Sequence, residues 1–358
     1  MAEDIADRLP LTRDDRVLLT AAQTSFPLVQ RPFAALGDAI GQSEESVIAR
    51  LSSLKEAGFL RRIGPVLEPK RFGLTTELVA AEVAPSELPS VGAEVAAWPP
   101  VTHCYAREHR INLWFAAVAP GEDWFEWAAA RTVSLPGVKG AWRLPALRRF
   151  KIAVRFDLTA PQPTVAAQPS PAGPSPDHGG PAVPLAGPPS RKKSEPVDLE
   201  FLRAAETDLP LCSDPFSVLA ASLQISADDL LDGLKSWLAD GRVRRYGALA
   251  NHRLLGFTAN SMTLWTVPDD QVESVGRRLA AFPQVSHCYE RPAFPGFPYN
   301  LYAMIHGQSR AQCLAAADEL SAACEAGDPV ALFSNREFKK TAPSYAELLA
   351  ERAAPDQS

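Results

Sequence analysis

Val101-Thr102-His103-Cys104-Tyr105-Ala106-Arg107 returns as Val285-Ser286-His287-Cys288-Tyr289-Glu290-Arg291, at an offset of 184. Four further blocks recur in the same order on either side of this pair. Gln23–Leu28 with Arg31–Leu36 matches Glu206–Leu211 with Asp214–Leu219, and Arg61-Arg62-Ile63-Gly64 matches Arg244-Arg245-Tyr246-Gly247, both at an offset of 183. Asn112-Leu113-Trp114 matches Asn300-Leu301-Tyr302, and Arg148-Arg149-Phe150-Lys151 matches Arg336-Glu337-Phe338-Lys339, both at 188. Five blocks in one order with so small a drift are a tandem duplication. The jump from 184 to 188 puts a four-residue insertion in the second copy, within Pro292–Tyr299.

Between the copies, Ala160 to Ser190 holds ten of the chain's 33 prolines, together with Gly, Ala, Ser and Gln. Such a stretch cannot bury a core, and it reads as a disordered, partly extended tether. The remainder is rich enough for real cores: 46% of the 358 residues are hydrophobic, with 16 Phe and 7 Trp. No apolar run reaches the ~18–20 residues of a membrane span. The chain opens on Met1-Ala2-Glu3-Asp4, acidic where a secretory signal is basic and then apolar. Five cysteines form no C-x-x-C pair and are odd in number, so they read as small core residues in a reduced, cytoplasmic protein.

Within each copy the pattern gives three short helices and a small hairpin. Arg13–Ala22 is the first helix, and Pro32 opens the second from its first turn. Ser43 caps the third, with Val47, Ile48, Leu51 and Leu54 on one face and Gly58 as its stop. Leu60–Leu67 and Glu68–Phe72 read as the hairpin. This is a winged helix-turn-helix plan. Strand Thr75–Val83, helix Ser90–Ala97, strands Val101–Arg107 and Leu113–Val118, helix Asp123–Thr132 and strand Val138–Trp142 follow. That β-α-β-β-α-β order is ferredoxin-like. The fold class is α+β: a winged helix over 1–74 and a ferredoxin-like αβ-sandwich domain over 75–158, a linker over 159–196, and the same two units again over 197–257 and 258–346. The combination resembles the Lrp/AsnC regulators, but the charges speak against DNA. Ser43–Gly58 sums to −1, Ser226–Gly241 to −3 and the whole chain to −6, where a groove-reading helix carries cations.

In a strand, alternate residues share a face, so His103, Tyr105 and Arg107 project together while Cys104 points away; His287, Tyr289 and Arg291 do the same. One reading is a His and Tyr packed between domains with the Arg in a salt bridge. The other is a binding face: guanidinium forks for carboxylates, an imidazole that moves protons or meets iron, and a phenol. The second copy adds the aromatic loop Arg291–Asn300, fit to cover a flat ligand, and His306, whose counterpart is Val118. Arg148, Arg149, Lys151, Arg336, Lys339 and Lys340 are further cations, each of which also reads as a solvated strand end. A polycarboxylate macrocycle with a central metal would use these features together.

Gln23-x-x-Phe26-Pro27-Leu28, Arg31-Pro32-Phe33, Arg61-Arg62-Ile63-Gly64, the two His-Cys-Tyr-x-Arg blocks and Tyr299-Asn300-Leu301-Tyr302-Ala303-Met304-Ile305-His306-Gly307 resemble the sirohaem decarboxylases, Lrp/AsnC-like proteins of the haem d1 and alternative haem pathways. The resemblance covers both copies and is like that of the fused D–L type, in which two homologous subunits share one chain as a pseudo-heterodimer, open to further self-association. Asp208-Leu209 in place of Ser25-Phe26, Asp214 in place of Arg31 and Val118 in place of His306 set the two copies apart. The resemblance implies loss of CO2 from the C12 and C18 acetates of sirohaem, giving 12,18-didecarboxysirohaem. It implies His287 or His103 as the acid, Tyr289 or Tyr105 in support, and Arg107, Arg291, Arg148, Arg149, Arg336, Lys339, Asn300 and His306 at the substrate. His287 or His306 would make any axial contact to the substrate iron. No cofactor and no metal of the protein's own is needed, since nothing is oxidised. The alternative is a ligand-responsive Lrp/AsnC-type transcription regulator.

Overall fold

The structure, a computed structural model, describes residues 11–152, 156–158, 164–165, 183–184, 198–251 and 254–353. Apart from Thr164–Val165 and Val183–Pro184, the expected linker lies outside the described residues. The first copy begins with α1 (Arg13–Thr24), α2 (Pro32–Ile40) and α3 (Glu44–Glu56). Thr12 and Asp15 close a capping box on α1, and Ser43 Oγ accepts from Ser46 N to start α3. β1 (Leu60–Leu67), β2 (Thr75–Val83), α4 (Leu88–Ala97), β3 (Val101–Arg107), β4 (Leu113–Ala119), α5 (Glu122–Val133), β5 (Val138–Pro145) and β6 (Arg148–Ile152) follow. Three two-residue strands come next: β7 (Phe156–Asp157), β8 (Thr164–Val165) and β9 (Val183–Pro184). The second copy runs α6 (Leu199–Glu206), α7 (Pro215–Leu223), α8 (Ala227–Ala239), β10 (Val243–Ala250), β11 (Ala259–Trp265), α9 (Val272–Ala281), β12 (Val285–Glu290), β13 (Leu301–Gly307), α10 (Arg310–Cys324) and β14 (Val330–Lys340). No helix among the described residues is long and apolar enough to cross a membrane.

Two features depart from the sequence reading. The expected hairpin does not form: Pro69–Phe72 is a single 3-10 turn, closed by Gly73 at φ 71°. Pro69 has no N–H to give a ladder, so β1 pairs instead with β10 of the other copy, antiparallel, with Gly64 opposite Gly247. The second copy also does not end at 346. A further helix, α11 (Tyr345–Ala353), caps the molecule, and the Glu206 carboxylate at the end of α6 accepts from its first amides, Tyr345 N at 2.6 Å and Ala346 N at 3.3 Å.

The two winged-helix units therefore share one core. Phe72 sits edge-on to Trp237 and Tyr345, and Phe26 packs on Tyr246. The two αβ units share one ten-stranded sheet, ordered β5-β2-β4-β3-β14-β11-β13-β12-β6-β9. Within it each copy keeps the ferredoxin-like order, and each sends its last strand across. β6 of the first copy pairs with β12, and the C-terminal half of β14 pairs with β3. The exchange is locked by matching knobs. Phe150 lies over Gly276 of α9 and Phe338 over Gly92 of α4, so close that a Cβ on either glycine would fall 2.4–2.5 Å from the ring. The inserted loop of the second copy is a third clasp. Phe294 stacks on Trp142 at 4.4 Å, and Phe297 is buried against Trp114. Its aromatic residues are packing between copies, where the sequence suggested a cover for a ligand.

Candidate active site

β3 and β12 are each kinked by a bulge at their second residue. The ladder runs Val101↔Ala117 and then His103↔Ala116, and in the other copy Val285↔Ile305 and then His287↔Met304. The extra residue is a hydroxyl residue in both copies. Thr102 Oγ1 lies 3.0 Å from Nδ1 of His103, and Ser286 Oγ lies 2.9 Å from Nδ1 of His287. The thiols of Cys104 and Cys288 turn to the helix side, toward the carbonyls of Gly92 and Gly276. Burial pushes Cys104 up to about 12 and Cys288 up as well, as expected of core residues rather than thiolates.

On the opposite face the rings stand in line, His103 beside Tyr105 and His287 beside Tyr289, each pair 6.2 Å apart. His306 joins the second pair: its Nε2 lies 2.7 Å from Ser286 Oγ, and its ring meets Phe257 edge-on. The three imidazoles form one electrostatic group. His287 is lowered to about 3, first by burial and then by His306, Arg244, His103 and Arg291. Burial, with Lys340 nearby, lowers His103 and His306 to about 4 each. All three are neutral at pH 7. Tyr289 is held protonated by burial, against the pull of Arg291, Arg149 and Arg244. Among the described residues His287 Nε2 has no hydrogen-bond partner, so it is the nitrogen left for a ligand. No group of three or more His, Cys, Asp or Glu among them is arranged to hold a metal ion.

The structure divides the expected substrate cations. Arg149 lies opposite Tyr289 in the ladder and pairs with Glu68 at 3.2 Å; Arg244 approaches the same carboxylate at 3.8 Å. Both belong to the second copy's face. Arg148 lies toward α9, paired with Glu273 and Glu290. Arg336 lies over the Phe338 ring, and Lys339 donates to the Trp98 carbonyl at the end of α4. These three are therefore corrected to structural positions. A bulge between Cys288 and Tyr289 in the β12–β6 ladder, and one between Glu337 and Lys339 in β14, decide which residue of each cationic run meets the site face. Asn300 is also structural: its amide accepts from Val267 N and donates to Val267 O, as Asn112 does with Val83. The motif arginines tie the copies together. Arg107, buried, donates to the Leu332 carbonyl at 2.8 Å, and Arg291 donates to that of Leu144 while lying over Tyr289. The sequence reading passed over Ser286, Arg244 and Glu68. The signal for the first is the hydroxyl residue preceding the motif histidine in both copies.

Chain-wide comparison fits this geometry. A family model described as "AsnC-like ligand binding domain" matches residues 71–151 and 254–339, and one described as "Siroheme decarboxylase NirDL-like HTH domain" matches 15–61 and 198–244. A "Siroheme decarboxylase" of Hydrogenobacter thermophilus is 32% identical over 92% of this chain and 93% of its own length. This chain belongs to the sirohaem decarboxylase family. One family member matches a single copy: the "Siroheme decarboxylase beta subunit" of Methanosarcina barkeri is 42% identical over 40% of this chain and 95% of its own. The two copies here thus correspond to what that family also builds as separate subunits. The crystal structure of the siroheme decarboxylase NirDL in co-complex with an iron-uroporphyrin III analogue superposes with a TM-score of 0.66 and 28% identity, over 95% of this chain and 100% of that one.

Proposed function

We propose that this chain is a cytoplasmic carboxy-lyase that removes CO2 from the C12 and C18 acetate side chains of sirohaem, giving 12,18-didecarboxysirohaem for haem d1 synthesis. The observation that carries the reading is the meeting of His287 and His306 on Ser286, with Tyr289 in line and Arg149 opposite it in the ladder, and with Arg244 and His103 near enough to act on His287. The family kinship and the iron-porphyrin analogue bound by a relative support it. The shared core and the β1–β10 ladder support a role for the winged-helix units in joining the copies, and the negative sums on α3 and α8 weigh against reading DNA.

Losing CO2 from a pyrrole acetate leaves an electron pair that needs a sink. Protonation of the adjacent pyrrole carbon makes the ring that sink. The C–C bond then breaks toward the ring, CO2 leaves, and a proton added at the exocyclic carbon with loss of the ring proton completes the methyl group. Each CO2 lost consumes one proton net, two per sirohaem, and transfers no electron to or from a second molecule, so no oxidant and no cofactor is called for. His287, once substrate binding has loaded it with a second proton, delivers a proton from Nε2 and returns to the neutral ring, with Tyr289 as a neutral donor beside it. Arg149 and Arg244 hold non-reacting carboxylates in exchange for Glu68. A buried imidazole with cations around it is a poor acceptor of a second proton. A polycarboxylate brought against it raises its pKa, so binding and proton loading are coupled.

Two measurements test this. Anaerobic incubation of the full chain with sirohaem should yield a product lighter by two CO2, read by mass spectrometry; unchanged sirohaem beside an active control enzyme refutes the activity. Calorimetric titration at pH 6 in two buffers of different ionisation enthalpy should show proton uptake on binding, and equal heats refute the coupling.

A further inference from the structure

Ser286 sits between two imidazoles, 2.9 Å from His287 Nδ1 and 2.7 Å from His306 Nε2, and is itself buried. Its other neighbour, the Met304 carbonyl, is at 3.4 Å. A hydroxyl has one proton and two lone pairs, so Ser286 either donates to one ring and accepts from the other, or accepts from both and gives its proton to the more distant Met304 carbonyl. Only one of these three arrangements leaves a proton on the open nitrogen of His287. In it His306 Nε2–H donates to Ser286 Oγ, Ser286 O–H donates to His287 Nδ1, and His287 carries its hydrogen on Nε2. The first copy lacks this chain. Thr102 bonds to His103 at 3.0 Å, but the position of His306 is Val118, which offers no donor.

We propose that Ser286 and His306 are positioning residues that fix the tautomer and ring orientation of His287, and so make the second copy the one that delivers the proton. The proposal rests on the decarboxylase reading for its consequence but not for its detection. In the full chain, Ser286→Ala and His306→Val break the chain of hydrogen bonds, the latter by imposing the first copy's residue. Ser286→Thr keeps it, using the side chain that Thr102 already shows fits such a bulge.

With 15N-labelled histidine, His287 Nδ1 is expected to be an unprotonated, hydrogen-bonded nitrogen at pH 7. Its resonance should move in Ser286→Ala and His306→Val and stay in place in Ser286→Thr. With sirohaem under anaerobic conditions, the two disrupting variants should lose roughly 10- to 100-fold in kcat. KM and sirohaem affinity should stay within about twofold, and Ser286→Thr should retain most of the rate. A protonated Nδ1 in the wild type, or a resonance and a kcat that ignore Ser286→Ala, overturns the proposal. Failure of Ser286→Thr to rescue while its unfolding curve matches the wild type also overturns it. If the wild type binds sirohaem but releases no CO2, the decarboxylase reading fails, and the nitrogen resonances still decide whether Ser286 and His306 set the state of His287.

Discussion

The two copies share a scaffold strand for strand and differ where the scaffold meets the site. Opposite Tyr105 the crossing strand contributes Glu337, and opposite Tyr289 the same ladder position contributes Arg149; opposite the histidines stand Lys340 and Ile152. Val118 stands where His306 stands, and Asn251 where Glu68 does. Apart from the aromatic loop, which belongs to the second copy alone, the clasping contacts show no such drift. Phe150 on Gly276 and Phe338 on Gly92 are mirror images, as are the Asn112 and Asn300 clamps and the carbonyl bonds of Arg107 and Arg291. Residues that join the copies stayed alike because each must fit the other copy, whereas the site residues were free to diverge into one acid-bearing face and one supporting face.

Breaking both copies at once, acid should have the largest effect. His103, His287 and His306 lie near 4, 3 and 4, below the ~6.5 of an unfolded histidine, so the folded state binds fewer protons than the unfolded one. Their contribution is complete above about pH 6.5 and is lost as pH falls toward 4, on the order of several kcal/mol in all. Thermal unfolding followed from pH 7 to pH 4 should show a steep fall in Tm, and a flat profile contradicts the burial of these rings.

Next in size comes the contrast between the acids. His287→Ala should lower the single-turnover rate of CO2 release by about a thousandfold, and His103→Ala by no more than about tenfold. Equal losses would mean that both faces deliver protons. The mirror-image clasp makes the opposite prediction. Phe150→Ala and Phe338→Ala should each cost about 3 kcal/mol, alike within about 1 kcal/mol, in chemical denaturation. Unequal costs would show that one crossing strand matters more than the other. The smallest effect belongs to the charge that separates the faces: Arg149→Glu, which gives the second face the first one's residue, should raise the KM for sirohaem about tenfold with little change in kcat.

The local pattern carried most of this fold. Thr75–Val83 and Val101–Arg107 are strands over the residues that alternation marks, and the Ser43 cap starts the helix it announces. It could not carry partners. Nothing in Leu60–Leu67 says that its ladder lies 183 residues away in β10, and only the proline that spoils a local hairpin hints at it. The site was legible to the extent that strand alternation governs it, which gave His103, His287, Tyr105 and Tyr289 one face. It failed where bulges shift the alternation. Arg148, Arg336 and Lys339 went to the helix side, and Ser286 came to bear on two histidines from a position that composition alone does not distinguish.

Strand exchange also sets an order of events during synthesis. A ribosome makes the first copy's β3 long before β14, whose residues 334–340 are its neighbour in the finished sheet. Through all that time β3 is an open edge, the kind of surface on which a second nascent chain can pair. Two subunits made separately would face the same exposure and would also have to find each other. In one polypeptide the missing strand arrives on the same tether, and the wait ends when residue 340 leaves the tunnel.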